Sequence, residues 1–207
     1  MSERTAVLQA LESVPPTPDS GAAERFETES GVVYRRVRTL RGLDLDPDFE
    51  DTLGDSDEEK LHALYGHFTN ALEELAARGI HAPDHRVEIA GDTITIEADE
   101  VYGERFVVNH DTYHGRPSMF TSAPSEEATA VFRQKIDAMY DYLYTASETG
   151  VPAVRELGFS SNHVVKNGQL YFVDLDPKMF DPKDDLEAME SELNYLGMLE
   201  SDLAAFN

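Results

Sequence analysis

The stretch Arg155-Glu156-Leu157-Gly158-Phe159-Ser160-Ser161-Asn162-His163-Val164-Val165-Lys166-Asn167-Gly168-Gln169-Leu170-Tyr171-Phe172-Val173-Asp174-Leu175-Asp176 decides how this chain is read. Two apolar runs, His163-Val164-Val165 and Leu170-Tyr171-Phe172-Val173, flank Asn167-Gly168. Asn-Gly between such runs predicts a two-residue hairpin turn, because both turn positions need positive φ. Asn162 stands before the first run and Asp174 after the second. A tight hairpin sets these two oxygen-bearing side chains at adjoining strand ends. Such a donor pair suits a hard cation such as Mg²⁺, with substrate phosphates completing its shell.

Outward from this hairpin the chain alternates helices and strands. Leu186, Met189, Leu193, Leu196 and Leu203 follow a 3–4 rhythm and predict a last helix from about 184. Before the hairpin, Ser125 with Glu126 and Glu127 predicts the start of a helix over 126–147, with Val131, Phe132, Ile136, Met139 and Leu143 on one face. Its tyrosines, Tyr140, Tyr142 and Tyr144, are what a helix buried between layers presents on two sides. Further upstream, Val87, Ile89, Ile94 and Ile96 alternate around Gly91-Asp92, a second hairpin, and Arg105–Asn109 reads as an added strand. Ser56 and Glu59 form a capping box for a helix over 57–78 that ends at Gly79. Residues 42–55 are acidic and Gly/Pro-punctuated, hence loop, and 32–38 alternate as a strand. Residues 1–30 read as an arm, with a short helix around Val7, Leu8 and Leu11 and a Pro-rich linker over 15–21. The order predicts an α+β fold, with 31–207 as one domain behind that arm.

Composition limits the function. The chain has 207 residues, 41 acidic against 17 basic, and a net charge of -24. A surface this negative repels phosphate backbones and anionic headgroups, so neither nucleic acid nor membrane is an expected partner. Without Cys there is no disulfide, thiolate metal site or cysteine nucleophile. No apolar run reaches the roughly 18 residues needed to span a bilayer, and the N-terminus lacks a signal peptide's apolar segment. Five Lys against twelve Arg, beside that acidic excess, suits a salt-rich cytoplasm, where screening makes dense carboxylates tolerable. The His81/His85 and His110/His114 pairs are spaced like metal ligands but sit among Pro and Gly, so they read as surface or core-edge residues.

The quoted segment resembles the catalytic core of the protein-kinase-like fold, including the small-molecule phosphotransferases of aminoglycoside type. That resemblance implies a two-lobed fold with a truncated small lobe (31–115) and a helical lobe (116–207). It implies that Asn162 and Asp174 hold Mg²⁺, that the strand around Val33-Tyr34-Arg35 carries the phosphate-binding cation, and that a loop acid serves as base. The helix at 57–78 then matches the one carrying that cation's Glu partner. Three departures qualify it. No Gly-rich loop precedes the strand, the expected Lys is Arg35 or Arg36, and Leu157 stands where the catalytic Asp belongs. Glu156 replaces that base only if the loop holds an extra residue. The expectation is therefore a kinase-like protein with a degenerate active site. It needs no cofactor and serves as a binding or scaffolding component of a larger assembly, contacting protein partners through its N-terminal arm and C-terminal helix. The setting is the cytoplasm of a halophilic archaeon or a virus particle of such a host. One alternative is a Mg-ATP-dependent phosphotransferase using Asp174, Asn162, Glu156 and Arg35 or Arg36. Another is a structural subunit of unrelated fold.

Overall fold

The computed structural model describes residues 3–12, 23–28, 31–43, 45–105 and 125–204. In chain order these form α1 (Glu3–Glu12), β1 (Ala23–Thr28), β2 (Gly31–Thr39), α2 (Pro47–Asp51), α3 (Asp57–Ala77), β3 (Ile80–His81), β4 (His85–Ala90), β5 (Thr93–Asp99), β6 (Glu104–Arg105), α4 (Glu126–Thr149), β7 (Ala153–Val154), β8 (His163–Lys166), β9 (Gln169–Phe172), β10 (Met179–Phe180) and α5 (Leu186–Ala204). The fold is α+β, its sheets antiparallel except where β3 joins β9. Two compact units emerge: 1–68 with 83–100 and 175–178, and 69–82 with 101–174 and 179–207.

The first unit is built on a sheet in the order β1-β2-β5-β4. Period-two alternation divides β2 between faces: Val33, Arg35 and Val37 are buried on one side, and Arg36 and Arg38 lie on the other. Register places Arg35 opposite Glu97, Arg36 opposite Ile96 and Arg38 opposite Ile94. Leu8 of α1 packs with Val33, Val7 and Phe26. In α3, Leu61, Leu64 and Phe68 are buried, and Tyr65 Oη meets Nε2 of His85 at 3.1 Å. Its N-terminus carries the predicted capping box: Ser56 N–H donates to Glu59 Oε2 at 3.1 Å, and Glu59 N–H to Ser56 Oγ at 3.3 Å. Replacing Ser56 by Ala removes one orphan N–H partner and is expected to cost about 1 kcal/mol, read as a lower denaturation midpoint with unchanged slope.

Two expectations are corrected here. Residues 42–55 are not simply loop: a 3-10 turn over Leu40–Leu43 leads to α2, whose Asp46 carboxylate accepts from Asp48 and Phe49 N–H at 2.9 and 3.1 Å. Asp46-Pro47 is an N-cap followed by the favoured first-turn proline, and Leu43, Phe49 and Leu53 supply the burial. Acidic composition concealed a short helix with few apolar anchors. Nor are residues 1–30 all arm, because Ala23–Thr28 pairs antiparallel with β2 along its length. The Pro-rich linker lies outside the described residues.

The second unit joins a sheet in the order β3-β9-β8-β6 to α4 and α5. Ser125 Oγ accepts from Ala128 N–H at 3.1 Å to start α4, and Gly150 at φ 68° ends it. The β8–β9 turn is as predicted, with Asn167 at φ 52° and Gly168 at φ 72°. Phe132, Ile136, Met139 and Leu143 of α4 are buried, as are Val164, Leu170 and Phe172 of the hairpin. Tyr142 is buried and its hydroxyl accepts from Val154 N–H at 3.1 Å, whereas Tyr144 is exposed. The apolar stripe of α5 turns inward: Met189, Leu196, Leu199 and Leu203 are buried, and α5 packs on α4. The stripe is spent within the unit, and Leu186 alone of the predicted set is well exposed, at 69%. Of the strand predicted over 105–109, only its beginning lies among the described residues, as β6. No helix among them is long and apolar enough to cross a membrane.

Candidate functional site

The loop between β7 and β8 is pinned at both ends and along its length. β7 pairs with β10, Val154 opposite Met179 and Ala153 opposite Phe180, so the segments entering and following the quoted stretch are hydrogen-bonded to each other. Arg155 Nη2 donates to Asp185 Oδ2 at 3.0 Å, and its guanidinium lies over Phe180, 5.7 Å from the ring centre. Glu156 adopts φ 62°, a left-handed conformation that a residue with a Cβ rarely takes without being held.

The hold comes from α5. Glu192, 4% exposed, accepts from Glu156 N–H at 2.6 Å through Oε1 and from Leu157 N–H at 3.1 Å through Oε2. Burial pushes its carboxyl up to about 7, against the opposing pull of the backbone N–H groups of Glu156, Gly158 and Leu157; the nearby Glu156 charge adds to the rise. Gly158 lies so close to α5 that a Cβ there would stand 2.6 Å from Tyr195 Cβ and 2.8 Å from Leu196 N. Only glycine fits.

Asn162 and Asp174 are brought to adjoining positions. Val173 N–H donates to the Asn162 carbonyl at 2.8 Å, extending the hairpin by one step, and Asp174 follows directly. Both are half-buried. The Asn162 amide, however, donates to the Glu156 carbonyl at 3.2 Å, so it braces the loop that Glu192 holds from the other side. His163 is wholly buried, its ring 5.6 Å from Phe132 and 5.5 Å from Phe172. Its Nδ1 lies 3.0 Å from the Phe159 carbonyl, which can only accept, so Nδ1 carries the proton. Burial pushes its basicity down to about 4, leaving a neutral packing group. Leu157 is fully buried.

The phosphate-binding candidates lie in the first unit, each facing a carboxylate there. Arg35, 5% exposed, has Nε 3.9 Å from Glu97 Oε1, across the β2–β5 ladder. Arg35, Glu97 and Arg86 share one line of register across β2, β5 and β4, alternating in charge. On the opposite face, Arg36 Nη1 and Arg38 Nη2 reach Asp176 Oδ2 at 3.1 and 2.6 Å, and Arg38 Nε reaches it at 3.0 Å. Three donors thus converge on one oxygen of a carboxylate whose side chain is 1% exposed. Asp176, the last residue of the quoted stretch, is an anchor for β2 arginines.

Two of these roles escaped sequence reading. Glu192 stands in register with Met189, Leu196 and Leu199 on the apolar face of α5, and a lone acid inside such a stripe is the signal that marks it. Arg36 and Arg38 sit two apart on a strand, which puts both on one face. Of the two histidine pairs, His85 engages Tyr65 and the His81 ring lies 5.7 Å from that of Tyr171, while His110 and His114 lie outside the described residues. Among the described residues no three His, Asp or Glu side chains are grouped to hold a metal. Comparison with protein-family models, with curated proteins and with solved structures found no match to this chain.

Proposed function

We propose that this chain is a protein-kinase-like fold whose phosphotransfer machinery has been converted to structure, and that it works as a non-catalytic binding or scaffolding component. The observation that carries this reading is what occupies the quoted loop. Leu157, buried, stands at the base position, the Asn162 amide braces the loop backbone, and Glu192 fills the neighbouring N–H groups. Phosphoryl transfer depends on positioned charges around the γ-phosphate, and here the candidate phosphate-binding arginines face carboxylates, Arg35 facing Glu97 and Arg36 facing Asp176. Support for the fold assignment is the chain order, β2 then α3 then the β4–β5 hairpin, followed by α4, the loop and the β8–β9 hairpin. In this reading Arg35 takes Glu97 of a strand as its partner, where the family uses a Glu on the helix corresponding to α3.

Charge is read as adaptation to salt, and the protein partner engages what the folded units leave outside. The competing phosphotransferase reading rests on Asn162 and Asp174 adjoining across the hairpin. A thermal-shift titration with Mg-ATP at high salt separates the two. No shift in wild type is expected; stabilisation that disappears in Asp174→Ala would overturn the non-catalytic reading, with ionic strength held constant because salt screens phosphate contacts.

A further inference from the structure

Among the described residues β4 is an outer strand of the first unit's sheet, paired with β5 on one side only. Asp99 N–H donates to the Asp84 carbonyl at 3.1 Å, one step before β4 sets His85 opposite Ala98. Antiparallel ladders alternate bonded and non-bonded pairs. Arg86, Glu88 and Ala90 therefore share backbone bonds with β5, while His85, Val87 and Ile89 turn their N–H and C=O groups outward. Side chains alternate in step: Arg86, Glu88 and Ala90 are exposed, and His85, Val87 and Ile89 are half-buried. The half-buried set stands opposite Ala98, Ile96 and Ile94, all buried, so the sheet's apolar face runs out to this edge. On the other face the line Arg35, Glu97, Arg86 ends at β4 with a cation. Two positions along the strand, Glu88 stands opposite Thr95, which offers it no charge.

We infer that β4 is a self-pairing edge, to which a second copy of this chain adds its own β4, antiparallel, about a two-fold axis through Val87. Outward backbone groups must meet outward groups, so His85, Val87 and Ile89 pair among themselves. Charge then selects the register. An axis through Arg86 opposes Arg86 to itself, and one through Glu88 opposes Glu88 to itself; like charges directly opposite are destabilising. The axis through Val87 sets Arg86 opposite Glu88 of the second copy, and Glu88 opposite its Arg86. Both fall at the close, non-hydrogen-bonded positions, where side chains interact most. The alternation Arg35, Glu97, Arg86 thereby continues into Glu88 of the second copy. The same axis lays Val87 against Val87 and His85 beside Ile89, extending the apolar face across it. A net charge of -24 on each copy opposes association at long range, so the pairing belongs to salt concentrated enough to screen it. A ladder this short makes a weak, concentration-dependent contact. It rests on β4 and β5 alone, and stands whether or not the kinase-like reading does.

Sedimentation equilibrium of the full chain in molar KCl, from micromolar to millimolar protein, tests it. A monomer–dimer equilibrium is expected in wild type. Glu88→Arg, which sets cation against cation at both pairs, should weaken it roughly tenfold or more, with thermal melting confirming that the variant is folded. Should Glu88→Arg fail to fold, crosslinking decides. The chain has no Cys, so a single introduced thiol reports one position. Val87→Cys sets two thiols across the axis at a backbone separation of about 5.5 Å, within disulfide reach, and mild oxidation should link them. Ile89→Cys faces His85 of the second copy, far from its own counterpart, and should link much more slowly. A wild type that stays monomeric throughout, dimerisation undiminished in folded Glu88→Arg, or equal crosslinking at 87 and 89 overturns the edge pairing.

Discussion

Replacing Asp176 by Ala is expected to destabilise the first unit by about 3 kcal/mol, a fall in Tm on the order of 10 °C. The loss has two parts. Three N–H donors from Arg36 and Arg38 lose the one oxygen on which they converge. Two guanidiniums are then left side by side on β2 with no charge between them. Buried ion pairs broken on one side cost about 3–5 kcal/mol, and the lower figure applies because Arg36 and Arg38 retain side-chain exposures of 38% and 21%. Water can therefore reach them. Asp176→Asn should lose most of the same stability, since the size is kept and the charge is not. Arg36→Ala alone should cost no more than about 1 kcal/mol, because Arg38 continues to make the shorter contact. Chemical denaturation of the three variants measures this ranking; equal losses for Arg36→Ala and Asp176→Ala would contradict it.

Gly158→Ala is the second large effect, and it acts on the candidate site itself. The added Cβ would meet Tyr195 Cβ at 2.6 Å, Leu196 N at 2.8 Å and the Tyr195 carbonyl carbon at 2.9 Å. Helix backbone cannot rotate aside as the end of a long side chain can. The loop has to rise off α5, loosening the Glu192 contacts with Glu156 and Leu157 together. A cost of about 2–3 kcal/mol is expected, with faster amide exchange over 156–162 than elsewhere in the unit. Gly197→Ala on the same helix is the control, since its Cβ would find Tyr140 Oη at an ordinary 3.6 Å. That substitution should be neutral or stabilising by up to about 1 kcal/mol, through helix propensity. Destabilisation by both to the same degree would show that α5, and not the loop's approach to it, sets the response.

These expectations also mark what sequence could carry. Asn167-Gly168 and the Ser56/Glu59 box are local signals, each with its physical cause within a few residues, and both were legible before any coordinates. The α+β order followed from periodicity for the same reason. Asp46-Pro47 carried an equally local signal, obscured because Phe49 is the only buried anchor of α2. Long-range roles were not legible. Nothing near Arg36 announces that its partner is Asp176, more than a hundred residues away. Glu192 did leave a trace, as an acid within the apolar stripe of α5, but the groups it holds come from a loop far upstream. The α5 stripe illustrates the reverse problem: amphipathicity shows that a face is buried and leaves open what buries it, here the helix's own unit. For the candidate site, the spacing of Asn162 and Asp174 gave their adjacency, whereas the engagement of Asn162 with the Glu156 carbonyl depends on the left-handed turn, which no residue type at 156 predicts.

Turnover is the measurement that bears most directly on the non-catalytic reading. Phosphate release from Mg-ATP, followed in wild type and in Asp174→Ala at matched high salt, compares the intact Asn–hairpin–Asp arrangement with one lacking its metal-binding candidate. The predicted result is a wild-type rate no higher than that of Asp174→Ala. A wild-type rate that Asp174→Ala abolishes would make this chain a working phosphotransferase and contradict the account.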